Sequence, residues 1–365
     1  MREIRHRSIL VGVWFGILMI LFRPQLHGMD TVAYYAWLRA AAIRHSLDVS
    51  EDGPPDRFAG LRPGRGADGV AGLAAGVLHV AHPFMAHAVD FFVNALFLWE
   101  WARVNPPSGR DRLRLGLIGG LAATVRYQNA SLLIWPALED LARLRRAPRE
   151  GLSRLAALGI GAGIGFLPQM IVWRVVFGQW VVGNPYGIAG AGSFDGRAPH
   201  LLEVLFSTNR GLFLWTPIAT FALLGLIGPL RRTCPRWAHF ILAQTGAQIY
   251  IVGSWSAWSG AAAFGPRLLT GLFAGFALGL AALYEAIRAR WGMRPVLALS
   301  GVAVAWNLIL LARYGLGDVP RMGPVPLTDL WLGQLTFPMR ALERVGWLIQ
   351  GLLRQDPLDG APPGL

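Results

Sequence analysis

The chain has 365 residues, 54% of them hydrophobic and 15% charged, and a formal net charge of +13. That balance is too apolar for a soluble chain of this length and points to a polytopic membrane protein. The positive charge sits on arginines clustered between apolar runs, the pattern of cytoplasmic loops rather than of nucleic-acid binding, and the single cysteine, Cys234, excludes an internal disulfide and a cysteine-built metal site.

Several apolar runs approach twenty residues, the length that crosses a bilayer core. The expected fold is an all-α transmembrane helical bundle of about seven or eight spans plus a short-helix hairpin. Two regions are expected, a transmembrane domain over 1–315 and a tail over 316–365. Span one covers about 8–26. Arg2, Arg5 and Arg7 hold its start on the cytoplasmic side, and no small-residue cleavage site follows it. The loop from 27 to about 69 then lies outside. It opens with Asp30-Thr31-Val32-Ala33-Tyr34-Tyr35, and five arginines within it sit awkwardly with that side. The apolar run Val70–His82 is too short to cross alone.

Span two, about 84–101, carries His87, Asp90 and Asn94 at spacings of three and four, so they share one helix face. Such polar groups should face the bundle interior. The next apolar stretch, about 115–141, has arginine clusters on both flanks and is interrupted by Arg126-Tyr127-Gln128-Asn129. A hairpin of two short helices turning inside the membrane satisfies both facts. Broken backbone at that depth is tolerated where protein or a wet cavity surrounds it. Span three, about 152–177, contains Gly159, Gly161, Gly163 and Gly165, which read as close helix packing. Spans four to seven follow at about 211–230, 237–254, 264–287 and 295–313. Outside between them fall Ser207-Thr208-Asn209-Arg210 and Gly265-Pro266-Arg267. In the tail, 327–352 has amphipathic spacing and either lies in the interface plane or makes an eighth span.

The Asp30 loop and the loops holding Arg210 and Arg267 thus share the outer side, where three polar loops can form one cavity. Asp30 is the candidate general base there, or a solvated loop residue. Arg267 and Arg210 can each grip a phosphate bidentately, or snorkel at the interface. Arg126, at depth, is functional or ion-paired with Asp90 or Glu100. Tyr34 and Tyr35 line the cavity or belong to an aromatic belt. His82, His87 and Asp90 do not follow a recognised metal-ligand spacing, and no phosphate-cradling glycine loop is present.

Five stretches, in order, resemble the integral-membrane glycosyltransferases of the GT-C superfamily, whose members include protein O-mannosyltransferases and aminoarabinose–lipid A transferases. They are Asp30–Tyr35, His87–Trp101, Gly116–Asn129, Leu205–Pro217 and Trp255–Leu268. Tyr127 stands where the family turn usually has proline, Thr31 replaces a frequent second acidic residue, and the interval 27–83 is shorter than in relatives. The resemblance implies transfer of a sugar from a polyprenyl-phosphate donor on the non-cytoplasmic face, a reaction that needs no nucleotide site; no cofactor is expected. The acceptor would be a glycan, lipid or protein. Asp30 would act as the base; Arg267, with Arg210 and Arg126, would hold the lipid phosphate. Two other readings remain open, a non-catalytic or degenerate relative and a transporter or lipid-handling protein. Arginine bias with abundant Ala, Gly and Pro fits a high-GC bacterial genome, so the bacterial inner membrane, with the N-terminus cytoplasmic, is the expected location.

Overall fold

The computed structural model describes residues 86–182, 193–260, 264–315 and 317–354. Span one, the Asp30 loop with Tyr34 and Tyr35, His82 and the apolar run before it lie outside the described residues. Regular structure within them is all helix; no strand occurs among them, only an isolated bridge between Phe194 and Trp255. In order come α1 (Ala86–Arg103), α2 (Gly109–Val125), a 3₁₀ turn (Tyr127–Leu133), α3 (Ile134–Leu144) and α4 (Pro148–Phe177). The short helices α5 (Leu201–Phe206), α6 (Leu212–Trp215) and α7 (Ile218–Gly225) follow, the last running into a π turn (Leu226–Leu230). Then come α8 (Pro235–Gly253), a second 3₁₀ segment (Arg267–Leu272), α9 (Phe273–Trp291), α10 (Met293–Gly315) and α11 (Leu327–Arg354).

Three helical stretches among the described residues are long and apolar enough to cross a membrane: Pro148–Arg174, Arg267–Trp291 and Met293–Gly315. The other expected spans among the described residues are helical but interrupted or polar. Span four is cut at Thr216-Pro217 and carries Pro229 in its π turn, because proline removes a donor and crowds the preceding turn. Over 18 residues α1 holds Asp90, Glu100 and Arg103, and α8 turns Gln244, Thr245 and Gln248 inward. The described residues divide into two compact units: Ala86–Asn307 with Arg321–Leu330, and Leu308–Pro320 with the chain from Trp331 onward.

The first unit is built on the expected hairpin. Leaving the basic end, α2 stops at Val125, and α3 returns until Arg112 of α2 meets Glu139 at 2.9 Å and Asp140 at 2.7 Å. Arg236 at the start of α8 also pairs with Glu139 at 2.9 Å and lies 4.1 Å over the Trp101 ring of α1. Four helices are thereby tied at one end. Above that knot the core is aromatic and aliphatic, with Phe97, Trp101, Leu132, Phe240 and Leu272 buried together.

Along the hairpin, α2 and α4 touch backbone to backbone. A Cβ on Gly116 would overlap the Leu158 carbonyl, and one on Gly120 the Ala162 carbonyl. From the other side, Gly161 faces the Leu113 carbonyl and Gly165 the Leu117 carbonyl. The pairs are four apart in both helices, the small-xxx-small geometry of close membrane helix packing. Gly159 and Gly163 have nothing near them, so only half of the glycine run does the packing expected of it; a period of two cannot stay on one face of a helix with 3.6 residues per turn.

Two outcomes follow. Gly120→Leu or Gly161→Leu should destabilise the detergent-solubilised protein by about 2 kcal/mol or more, through overpacking against backbone, whereas Gly159→Ala should be neutral or raise the thermal midpoint by the helix-propensity difference, up to about 1 kcal/mol. The N-terminus of α2 carries a pH signature. Ser108 caps it, and the Asp111 side chain accepts from the Ser108 hydroxyl at 2.6 Å and from its backbone N–H at 2.9 Å. These hydrogen bonds hold the Asp111 carboxyl below its ordinary range. A lowered folded-state value means the contribution is present above the unfolded carboxylate range, near pH ~4, and is lost as pH falls through the lowered value. Asp111→Asn should therefore lower the thermal midpoint at pH 7, with the gap from wild type closing on acidification below pH ~4.

Candidate functional site

Opposite the ionic knot, α1 begins, α2 ends and α8 ends. The interruption after α2 is the first organising feature. Arg126 leaves the helix in an extended conformation (φ −149°, ψ 126°), while its N–H still reaches the Ala122 carbonyl at 3.1 Å. The 3₁₀ turn that follows leaves polar backbone inside the bundle, and α8 supplies partners for it. Gln248 Nε2 donates to the Gln128 carbonyl at 3.0 Å and to Ser131 Oγ at 3.2 Å. Ser131 Oγ donates to the same carbonyl at 2.8 Å and lies 3.1 Å from Gln244 Oε1. Gln128 Nε2 in turn donates to the Leu268 carbonyl at 2.5 Å, joining this turn to the second 3₁₀ segment.

The expected face of α1 points into this turn. His87, Asp90 and Asn94 are all buried, and Asp90 is 0% exposed. Asp90 Oδ1 accepts from Asn129 Nδ2 at 2.7 Å and Asn94 Nδ2 at 3.1 Å, and Oδ2 lies 3.3 Å from Arg126 Nε. Arg126 thus pairs with Asp90 rather than Glu100, which is taken by Arg103 at 2.6 Å. Its Nη2 is 2.7 Å from His87 Nδ1. A guanidinium has donors only, so Nδ1 accepts and the His87 proton sits on Nε2. Asn129 Nδ2 also reaches the Ala122 carbonyl at 3.1 Å, capping α2.

A second cluster lies around Arg210. Ser207 Oγ accepts from the Asn209 N–H at 3.0 Å, and the Gly211 N–H returns to the Ser207 carbonyl at 2.8 Å. A side chain at Gly211 would collide with Ser207 backbone, so this tight turn needs glycine there. It forces Arg210 into the left-handed region at φ 67°. Buried and donating to Asn209 Oδ1 at 2.6 Å and to the Arg321 carbonyl, the guanidinium lies 5.6 Å over the Trp215 ring. Trp215 meets Phe264 edge-on at 5.8 Å, which carries the chain into Gly265-Pro266-Arg267.

Arg267 packs against Gly260, where the chain turns at φ 75°. The strip 193–200 is laid across the same end. Phe194 bridges to Trp255, the His200 N–H donates to the Gly253 carbonyl at 2.8 Å, and the His200 ring lies 6.1 Å from Trp258. Trp255 and Trp258 are thereby packed, partly buried, against the core of the bundle.

Between these turns lies a small cleft of about 10 Å³, lined by Val204, Arg210, Val252, Trp258, Pro266, Leu268 and Leu269. Ligand pockets usually enclose ~300–1,000 Å³, so in this conformation the cleft has room for about one water rather than a ligand. Of the sequence-predicted residues, Arg210 lines it and the Arg267 turn borders it. Arg126 does not line it. Asp30, Tyr34 and Tyr35 lie outside the described residues. Sequence reasoning missed Asn129, Ser131, Gln244 and Gln248; two glutamines four apart in an otherwise apolar segment were the available signal.

Removing one member of a buried ion pair leaves the other uncompensated and costs about 3–5 kcal/mol. Asp90→Ala and Arg126→Ala should each collapse the folded yield in detergent. The double variant Asp90→Asn/Arg126→Gln should recover part of it, a non-additivity read from thermal midpoints. Set against models of known families, curated proteins and solved structures, the chain matches none.

Proposed function

We propose that this chain is a multi-pass membrane glycosyltransferase that moves a sugar from a polyprenyl-phosphate donor to an acceptor on the non-cytoplasmic face. The single observation that carries the reading is the convergence of the Arg210 turn and the Gly265-Pro266-Arg267 turn on one aromatic-flanked cleft. These two stretches are more than fifty residues apart and are two of the five that resemble the GT-C superfamily. The 126–129 turn, another of the five, is joined to the cleft lining through Leu268.

In this mechanism the Asp30 carboxylate takes the proton from the acceptor hydroxyl or amine, and the acceptor atom forms a bond to the anomeric carbon. The bond from that carbon to the phosphate oxygen breaks, and the lipid phosphate leaves with its electron pair. Arg267 and Arg210 stabilise the charge that develops on it, and Tyr34 and Tyr35 line the cavity beside Asp30. Arg126, committed to Asp90 and His87, holds the broken turn in shape and only through it supports the phosphate site. The reading takes the ionic, arginine-rich end as cytoplasmic in a bacterial inner membrane, with the N-terminus on that side and seven or eight spans in all.

Membranes containing the wild-type chain should transfer label from a polyprenyl-phosphate-sugar pool. Asp30→Asn should reduce the rate by about 10²-fold or more, the size of a general-base contribution. Arg267→Gln and Arg210→Gln should weaken use of the donor while leaving the thermal midpoint close to wild type for Arg267. Absence of transfer by wild type and Asp30→Asn alike would sink the reading of a self-sufficient transferase. Retained transfer in Asp30→Asn would remove Asp30 as the base.

A further inference from the structure

The C-terminal helix α11 has no part in the cleft and presents an unusual surface. On one side Leu330, Gly333, Gln334 and Phe337 are buried. On another, Trp331, Leu332, Leu335, Met339 and Leu342 are exposed at 45, 60, 77, 70 and 73%. Trp331, Leu335, Met339 and Leu342 are spaced three and four apart, with Leu332 beside them, so the five form one stripe of the helix. A stripe of five large apolar side chains is not a surface that water tolerates; patches of this kind mark a partner.

What covers it follows from where α11 is anchored. The preceding helix, α10, is 23 residues of membrane-crossing composition, about 34 Å at 1.5 Å per residue, enough for a bilayer core of about 30 Å. Its last turn holds Arg313, 0% exposed, whose Nε meets Asp318 Oδ2 at 2.7 Å. The other Asp318 oxygen takes Arg340 Nη1 of α11 at 2.8 Å. Gly333 of α11 leaves room for the Arg313 guanidinium, which any side chain there would strike. This clamp pins α11 to the point where α10 ends, at the bilayer surface. Asp329, Gln334, Arg340, Glu343 and Arg344, together with the internal Pro338, make the sequence of α11 too polar for a membrane-crossing helix.

We infer that α11 is an interfacial membrane anchor, lying in the plane of the bilayer surface with Trp331, Leu335, Met339 and Leu342 inserted among the acyl chains. The occupant of the stripe is the lipid itself. Helices of this type sink their apolar face about 5–10 Å into the boundary between headgroups and chains, and a tryptophan at one end suits that depth. The inference is independent of the glycosyltransferase reading.

The test uses the full chain in a Cys234→Ser background, since Cys234 is the only cysteine and is exposed. Single cysteines are introduced by Leu332→Cys, Leu335→Cys, Met339→Cys and Leu342→Cys, all at exposed positions, and on α10 by Leu297→Cys, Val304→Cys and Leu308→Cys. Each is spin-labelled in nanodiscs of phosphatidylethanolamine and phosphatidylglycerol, and depth is read from the ratio of oxygen to nickel-chelate accessibility. The four α11 sites should fall at one shallow depth, within about 5 Å of one another, while the α10 sites should be graded by up to about 16 Å at 1.5 Å per residue. A graded series through α11 would make it a span and overturn the inference. Nickel accessibility at water-exposed levels at all four sites would overturn it equally.

Discussion

A fully buried carboxylate, Asp90, is the constraint from which the described bundle follows. An ionised group inside a helical bundle must be surrounded by donors or its desolvation dominates. Here the donors come from Arg126, Asn129 and Asn94, and two of those three belong to the interruption after α2. The broken turn and the buried acid thus support each other. Straightening α2 through 126–129 would strip Asp90 of its partners, and losing Asp90 would leave Arg126 charged at depth. The same turn then obliges α8 to place Gln244 and Gln248 inward and obliges Leu268 to offer its carbonyl. A polar axis is in this way set beside the apolar core of the bundle.

The opposite end is fastened differently. Glu139 is shared by Arg112 and Arg236, and Trp101 both donates to Glu139 at 3.2 Å and lies under Arg236. Glu139 and Arg236 are only partly buried, so their pair contributes less than its geometry suggests; the sharing of one carboxylate by two helices sets register. Between the two polar ends, α2 and α4 run with backbones in contact, and that closeness holds the broken turn at a fixed depth. Tyr127, standing where proline is usual in the resembling family, uses the position to pack on Trp173 at 5.5 Å and Phe166 at 6.4 Å.

Much of this was legible in the chain, for reasons that can be named. Basic flanks on both sides of 115–141 demanded a return to the same side, and the polar interruption marked where. His87, Asp90 and Asn94 announced a common face because helical spacing is rigid. The number of crossings was harder to read. Apolar length signals a span only when the residues are lipid-facing, and α1 and α8 devote several positions to the inner polar network. The glycine run in α4 was read as uniform packing, but a helix divides such a run between two faces. How the turns that hold Arg210 and Arg267 come to border one cleft was not visible, because it depends on aromatic contacts between Trp215 and Phe264 across almost fifty residues of sequence. The stretch around Asp30 lies outside the described residues, so its relation to the cleft rests on the resemblance alone.

The backbone at Arg210 has one further consequence. In the left-handed region, glycine or asparagine is at ease and a long branched-tip side chain is not. The conformation and the side chain therefore favour different residues at the same position. The hydrogen bonds of the guanidinium to Asn209 and the Arg321 carbonyl, and its place over the Trp215 ring, offset that backbone cost, so Arg210→Gly would relieve the strain only by giving up buried contacts.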